Sequence, residues 1–339
     1  MAVTYANALV GQVEGSYLCC SRMEGMLKES LLPEVEYLFL NKKSSLDIKA
    51  ILKLRNFIKS RQIIIVHAHS TSYFLAVLLK FTGLKFKLVW HIHNGASEYL
   101  SYREYKVLSF FSRYFEGVVS VNTNLKKWAI SQLNCNNVVE IKNFIPDDFF
   151  SKKRGLELKG KEDDFKIICV ANLRPEKDHF NLIKAFESLD HQFRLSLHLI
   201  GANFEDQYSG SVLSAVKNSP VSIHIFYYGA QSEISGLLTQ ANLGVLSSRS
   251  EGLPVALLEY GMAGLPVIVT EVGQCREVVG DFGLLVPPND PEALAEAITS
   301  YFKNPKKRKN DAFEFQQNIF KNYSKKSVLS SLIEFYKKL

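Results

Sequence analysis

Short runs of consecutive apolar residues alternate along the chain with stretches whose apolar positions recur at helical spacing. Runs apolar on both faces suit strands of a parallel sheet, and their alternation with helices is the pattern of βα units. The first half predicts strands at 15–20, 35–40, 63–68, 88–92, 117–121 and 138–142, with helices such as 47–60 and 123–132 between them. The pattern stops near Asn143, Ile145 and Pro146. A polar stretch from Asp147 to Asp164 follows, including Lys152-Lys153-Arg154 and Gly155, and reads as a linker. Alternation then resumes with strands at 165–171, 195–200, 223–228, 243–247, 266–270 and 283–286. Asp290-Pro291-Glu292 is a helix start: a cap, a proline at the first position and an acid in the first turn. Val328, Leu329, Leu332, Ile333 and Tyr336 predict a closing amphipathic helix. The expected fold is α/β, with two doubly wound Rossmann-like domains facing across a cleft. Their expected bounds are 1–148 and 165–315, with a linker at 149–164 and a helix in 316–339 packing back on the first domain.

The start departs from that scheme. Met1 opens into a helical pattern (Val3, Ala6, Leu9, Val10), and the first strand comes only at Gly15. A doubly wound domain begins with a central strand and a glycine-rich turn. Both are expected to be missing here, leaving two neighbouring strands to meet across a gap. The corresponding expectation is a natural start roughly 15–20 residues earlier, the length of one strand and its turn.

A length of 339 residues suits two domains, and 47% hydrophobic with 22% charged residues excludes disordered and fibrous classes. No apolar run approaches the roughly 18 residues of a spanning helix. The five cysteines form no C-x-x-C pair and suit reduced thiols in a cytoplasmic protein. The net charge of +7 is uneven: residues 1–150 hold 18 basic against 12 acidic residues, and the remainder 23 against 22. A basic first half could face phosphates or anionic lipid, with ordinary solvated lysines as the plain alternative. The stretches 49–61 and 99–115 mix basic, apolar and aromatic residues, as peripheral membrane helices do and as core-packed helices also do. No nucleic-acid-reading motif accompanies the charge, so no nucleic-acid partner is expected.

The segment 250–268 carries the most chemistry. It follows a predicted strand and enters a helix near Pro254 or Val255, where α/β sheets bind ligands and helix-start amides favour anions. Glu251 precedes that helix and Glu259 lies inside it, so their carboxylates can hold hydroxyls at two ends of a long ligand. Four histidines, His67, His69, His91 and His93, form two H-x-H pairs on neighbouring strands. No cysteine or carboxylate joins them at ligand spacing, so a metal is not expected.

The segment 250–268 resembles the E-x7-E signature of retaining glycosyltransferases of family 4, with the GT-B fold. Residues 166–186 are similar to the family's first C-terminal strand, basic loop and helix. Gly201 and Gly229 sit at matching strand ends, and Val272-Gly273 with Glu277 resembles its second glycine loop. The resemblance runs in order from 166 to about 299 and is looser in 65–70, 89–95 and 119–126. It implies transfer of a hexosyl unit from a nucleotide-sugar, such as a UDP- or GDP-sugar, with retention. The acceptor would be a glycan or lipid-linked, in surface polysaccharide or glycolipid synthesis at the inner membrane face, by peripheral contact with anionic lipid. Glu251, Lys177, Arg174 and His93 would carry catalysis. Glu259, Gly252, Leu253, Pro254, Val255, Gly201, Gly229 and Asn172 would bind the donor. Where the family carries a companion arginine this chain has Asn172, with Arg174 as the available substitute. As an exposed lysine, Lys177 would contribute little to folding. Tyr228 lies near the expected base pocket, either stacking on the base or packed in the core. No D-x-D triplet occurs, consistent with a metal-independent enzyme without cofactor. A GT-B nucleotide-sugar 2-epimerase and an inactive sugar-nucleotide-binding relative are the alternatives.

Overall fold

The computed structural model describes residues 1–93, 102–146, 149–150, 156–190 and 192–339. It divides into two compact bodies, 1–143 with 325–339, and 144–324.

The first body opens with α1 (Ala2–Leu9), β1 (Tyr17–Cys20), β2 (Glu36–Phe39), α2 (Ile48–Ser60) and β3 (Ile65–His69). It continues with α3 (Tyr73–Lys80), β4 (Lys87–Ile92), α4 (Tyr102–Ser112), β5 (Gly117–Ser120), α5 (Thr123–Gln132) and β6 (Val138–Glu140). All pairings are parallel, but the six strands form two sheets, β1-β2 and β3-β4-β5-β6. The interior strands read as apolar runs because both faces are covered: Leu88, Val89, Trp90, Ile92, Val118 and Val119 are all buried. Asp47 accepts from the Ala50 amide at 3.1 Å and Asn122 from the Leu125 amide at 2.7 Å. Each satisfies a first-turn N–H, which fixes where α2 and α5 begin.

The second body contains β7 (Phe165–Val170), α6 (His179–Glu187), β8 (Leu195–Ile200), α7 (Gln207–Asn218), β9 (Ile225–Tyr227) and α8 (Ser235–Leu238). Then come β10 (Leu243–Leu246), α9 (Val255–Met262), β11 (Val267–Thr270), α10 (Cys275–Val279), β12 (Leu284–Val286), α11 (Pro291–Lys303) and α12 (Pro305–Tyr323). One parallel sheet runs β12-β11-β10-β7-β8-β9, a doubly wound order that reverses between β7 and β10. Asp290 caps α11 through the Ala293 amide at 2.9 Å, with Pro291 at its first position. Tyr260 of α9 bolts the two central strands: its hydroxyl accepts from the Val170 amide at 2.6 Å, and its ring lies on Gly244 of β10.

The last helix, α13 (Lys325–Lys338), belongs to the first body, where the Tyr336 hydroxyl meets His67 Nδ1 at 2.5 Å. Several bounds differ from expectation. The span 149–164, read as a linker, is assigned to the second body. There Leu158 is buried, its amide donates to Gln240 Oε1 at 3.0 Å, and the Lys159 amide donates to the Tyr228 hydroxyl at 2.7 Å. Residues 316–323 continue α12 on the second body, with Gln316 donating to the Met262 carbonyl at 3.0 Å, so only α13 crosses over. Residues 222–224 form a short 3-10 turn ahead of β9 rather than its first residues. Asp147, Lys152-Lys153-Arg154, Gly155 and residues 99–101 of the predicted aromatic helix lie outside the described residues.

Candidate active site

The chain leaves β7 and β10 at the point where the strand order reverses, the place where ligands enter doubly wound sheets. After β7 it passes Asn172 and Arg174, makes a 3-10 turn over Pro175–Lys177, and reaches Asp178 in the left-handed conformation, φ 46°. After β10 it passes Ser247, Ser248, Arg249 and Glu251 before α9. Charge stitches the two loops together. Lys177 Nζ lies 2.7 and 2.8 Å from the two Glu251 carboxylate oxygens, and Ser248 Oγ donates to Oε1 at 2.6 Å. Beneath them Arg249 holds the buried Asp178 carboxylate through Nε at 2.7 Å and Nη2 at 3.1 Å. The Arg249 amide donates to the Glu176 carbonyl at 2.8 Å, and Ser247 Oγ spans the Lys177 and Asp178 carbonyls at 3.1 Å each. Side chains at Lys177 and Glu251 are 24% and 6% exposed, so this ion pair is largely withdrawn from water. Lys177 is therefore a framed lysine whose position depends on its carboxylate, not the exposed one expected from the loop composition.

Two glycines let backbone press into the same region. A Cβ at Gly201 would fall 2.0 Å from the Ala171 carbonyl oxygen, and one at Gly273 would fall 2.1 Å from that of Glu251. Gly273 also sits at φ 53°. Only glycine fits such approaches without moving the loops. Gly201 donates to the Gly229 carbonyl at 2.9 Å, and Asn172 Oδ1 accepts from the Ala202 amide at 2.9 Å. Asn172 thus braces backbone in this structure. Gln274 donates its amide to the Gly252 carbonyl at 3.1 Å, fixing the entry to α9. Leu253 and Pro254 are buried, and Val255 opens the helix, whose first-turn amides have no partner four residues back. The carboxylate of Glu259, half-buried on α9 beside the Tyr260 bolt, makes no hydrogen bond or ion pair among the described residues.

Arg174 stands apart from this cluster. It is exposed, its guanidinium lies 4.5 Å over the Phe204 ring and 3.9 Å from Glu176. Tyr228 is tied into the framework by His198 Nδ1 at 2.8 Å as well as by Lys159. Asp178, Ser248 and Arg249 were not singled out from the sequence. The available signal was the polar run Ser247-Ser248-Arg249-Ser250 directly behind an apolar strand.

His93 lies in the first body, in a column with His67, His69 and His91 on one face of β3 and β4. Ring centroids are 3.9 Å apart for His91–His93, 4.7 Å for His67–His69 and 5.0 Å for His67–His91. His69 Nδ1 meets His93 Nε2 at 2.6 Å. Burial pushes the His67 and His93 pKa values down to about 3 and those of His69 and His91 well below the usual range, so all four imidazoles are neutral at pH 7. Nitrogens of His67, His69 and His91 lie within 4.8 Å of one another. The His67 and His91 rings are stacked, 17° from parallel. Asn94 and Gly95, expected to act beside His93, lie outside the described residues.

Two parallel α/β bodies, one with a polar cluster at its switch point, are the architecture of the GT-B fold. HepE from Anabaena, solved in complex with UDP-glucose, superposes with a TM-score of 0.84 at 16% identity, covering 100% of this chain and 96% of that one. Residues 3–149 match Glycosyltransferase Family 4 and residues 153–312 match Glycosyl transferases group 1. The chain belongs to the family 4 type of GT-B glycosyltransferases. The N-acetyl-alpha-D-glucosaminyl L-malate synthase of Bacillus anthracis is 24% identical over 59% of this chain. This chain spans about half of that relative, 53% of its length. An Escherichia coli UDP-Gal:alpha-D-GlcNAc-diphosphoundecaprenol alpha-1,3-galactosyltransferase is 23% identical over 74% of this chain and 70% of its own length.

Proposed function

We propose that this chain transfers a hexosyl unit, with retention of configuration, from a nucleotide-sugar to a glycan or lipid-linked acceptor during assembly of a surface polysaccharide or glycolipid. The observation that carries the reading is the Lys177–Glu251 pair at 2.7 Å, set at the sheet's switch point against the start of α9. In transfer, an acceptor hydroxyl bonds to the anomeric carbon as the bond to the diphosphate breaks, and its proton ends on the leaving group. Charge develops on that diphosphate, so Lys177 and the α9 amides stabilise the step. Glu251 then accepts from hydroxyls of the transferred sugar, and Glu259 from those of the ribose. The UDP-glucose held by HepE makes a UDP-hexose the first donor to test, and the E. coli relative's name makes a lipid diphosphate the first acceptor.

Peripheral contact with anionic lipid is part of the same reading. Among the described residues no helix is long and apolar enough to cross a membrane. On α2, Ala50, Leu54 and Ile58 face the core, while Ile48 and Leu52 remain exposed among lysines. That arrangement supports salt-sensitive binding to anionic vesicles. Incubation with labelled UDP- and GDP-hexoses, with and without lipid-diphosphate acceptors, tests the catalytic proposal. Transfer with an α-linked product is expected. Formation of a C2 epimer would move the reading to a nucleotide-sugar epimerase, and binding without breakdown would make the chain a non-catalytic relative.

A further inference from the structure

A second polar site lies in the first body, at the carboxyl ends of its strands. A cavity of about 230 Å³ there is lined by Ser21 and Arg22 beyond β1, Lys42 beyond β2, and Thr71, Ser72 and Tyr73 beyond β3. The Lys42 amide donates to the Ser21 carbonyl at 2.7 Å, which holds two of these strand exits together. Ser72 Oγ donates to the His69 carbonyl at 2.6 Å and braces the exit of β3.

The charges in this cavity are unbalanced. Lys42 is half-buried, and burial together with the neighbouring Arg22 cation holds its ammonium below the usual lysine range. Neither Arg22 nor Lys42 makes an ion pair or side-chain hydrogen bond among the described residues. Asp47 is the one carboxylate that acts on Lys42 among the described residues; its single charge leaves the two cations in excess, and its oxygens are held by the α2 cap. Its oxygens accept from the Lys43 amide at 2.9 Å and the Ala50 amide at 3.1 Å, as the cap of α2. Lys42 is half-buried with the exposed Arg22 guanidinium beside it, and the two like charges oppose one another until an anion joins them. Neutral sugar hydroxyls relieve none of that repulsion. A phosphate group answers both cations with charge-assisted bonds.

We propose that the cavity bounded by Arg22, Lys42 and Thr71 binds a phosphate or diphosphate group carried by the acceptor substrate. The assignment to the acceptor rests on the glycosyltransferase reading; the anion chemistry does not. Lys177 and Glu251, assigned to the donor, belong to the other body, so the two phosphate-binding functions fall on different parts of the chain.

Calorimetric titration of the full chain with inorganic diphosphate, without nucleotide, tests the anion site. The double variant Arg22→Gln/Lys42→Gln is expected to lose at least tenfold in diphosphate affinity, while Lys217→Gln, at an exposed lysine of α7 outside both sites, retains the binding that the double variant loses. Circular dichroism on each variant checks that the fold persists. Undiminished diphosphate binding in the double variant overturns the proposal. A transfer arm separates acceptor-borne from free phosphate. The double variant should raise KM at least tenfold for a lipid-diphosphate acceptor and not for a neutral glycolipid carrying the same sugar. Equal KM changes for both acceptors overturn the acceptor assignment. Absence of donor breakdown by the unaltered chain counts against the glycosyltransferase reading and leaves the diphosphate titration to decide on the anion site.

Discussion

The two bodies share an architecture and bury polar groups in different ways. In the second, the cluster at the switch point is made of charges that answer one another: Lys177 with Glu251, and Arg249 with Asp178. In the first, the corresponding face holds four stacked neutral imidazoles. Both ring nitrogens of His91 and Nε2 of His67 find no hydrogen-bond partner among the described residues. Paired charges fix geometry because each carboxylate has a cationic donor within hydrogen-bond reach. Unpaired neutral histidines hold only while they stay neutral. The switch-point cluster is thus built to keep charge in place, the histidine column to keep it out.

Acid should separate the bodies most strongly. Each of the four histidines has a folded pKa lowered from the ordinary 6.5, to about 3 for His67 and His93. Their contribution is therefore intact above pH 6.5 and is lost as pH falls from there toward 3, because the unfolded chain binds protons that the folded body refuses. The loss grows with each pH unit below 6.5, as more of the unfolded chain's imidazoles take up protons. The second body has two buried histidines with shifts to about 4, His179 and His198, both with hydrogen-bond partners. Both tryptophans, Trp90 and Trp128, lie in the first body and report on it alone. Their fluorescence should change at a higher pH than the circular dichroism of the whole chain. Coincident transitions would erase the contrast.

A smaller effect sharpens the charge side of the comparison. Lys177→Ala should cut turnover about a hundredfold or more, the scale of losing one preorganised transition-state contact. It should also destabilise the second body, since Glu251 would be left with Ser248 alone. Breaking a fully buried pair costs about 3–5 kcal/mol, and the partial exposure of Lys177 moves the expectation to the low end. Adding Glu251→Gln to Lys177→Met should restore much of the melting temperature and none of the turnover. If stability and turnover recover together, the pair is structural and the leaving group is stabilised elsewhere.

The smallest expected effect is at Arg174. Its contact with Glu176 is long and exposed, worth at most about 0.5 kcal/mol, so Arg174→Ala should leave the melting curve in place. Turnover should fall far less than in Lys177→Ala. A loss of equal size in both variants would bring Arg174 into the charged cluster on donor binding.

Much of this molecule was legible as pattern. Strands buried on both faces announce themselves, as in 195–200, where even Ser196 and His198 are enclosed. Caps were legible too, because Asp290 and Pro291 act locally. What periodicity could not supply was adjacency. Lys177 and Glu251 are 74 positions apart and meet because β7 and β10 pair, a fact of sheet order. The same holds for Asp178 with Arg249, and for Arg22 with Lys42. The stretch 149–164 reads as a linker for a different reason: its average composition is polar, while Leu158 and the backbone of Leu156 to Lys159 dock on the second body. The resemblance to family 4 pointed to Lys177 and Glu251 as site residues, but not to each as the other's partner.

The division of the first body's strands has a consequence for the chain's behaviour in company. Among the described residues, six strands in one sheet leave two open edges, and six strands split as two and four leave four. Every open edge presents a ladder of unpaired amides and carbonyls to whatever extended backbone passes by. The first body therefore offers twice as many templates for strand addition as the second, on β1, β2, β3 and β6. Strand-by-strand association between copies should nucleate on the imidazole-bearing body, and sooner in acid, where that body loosens first.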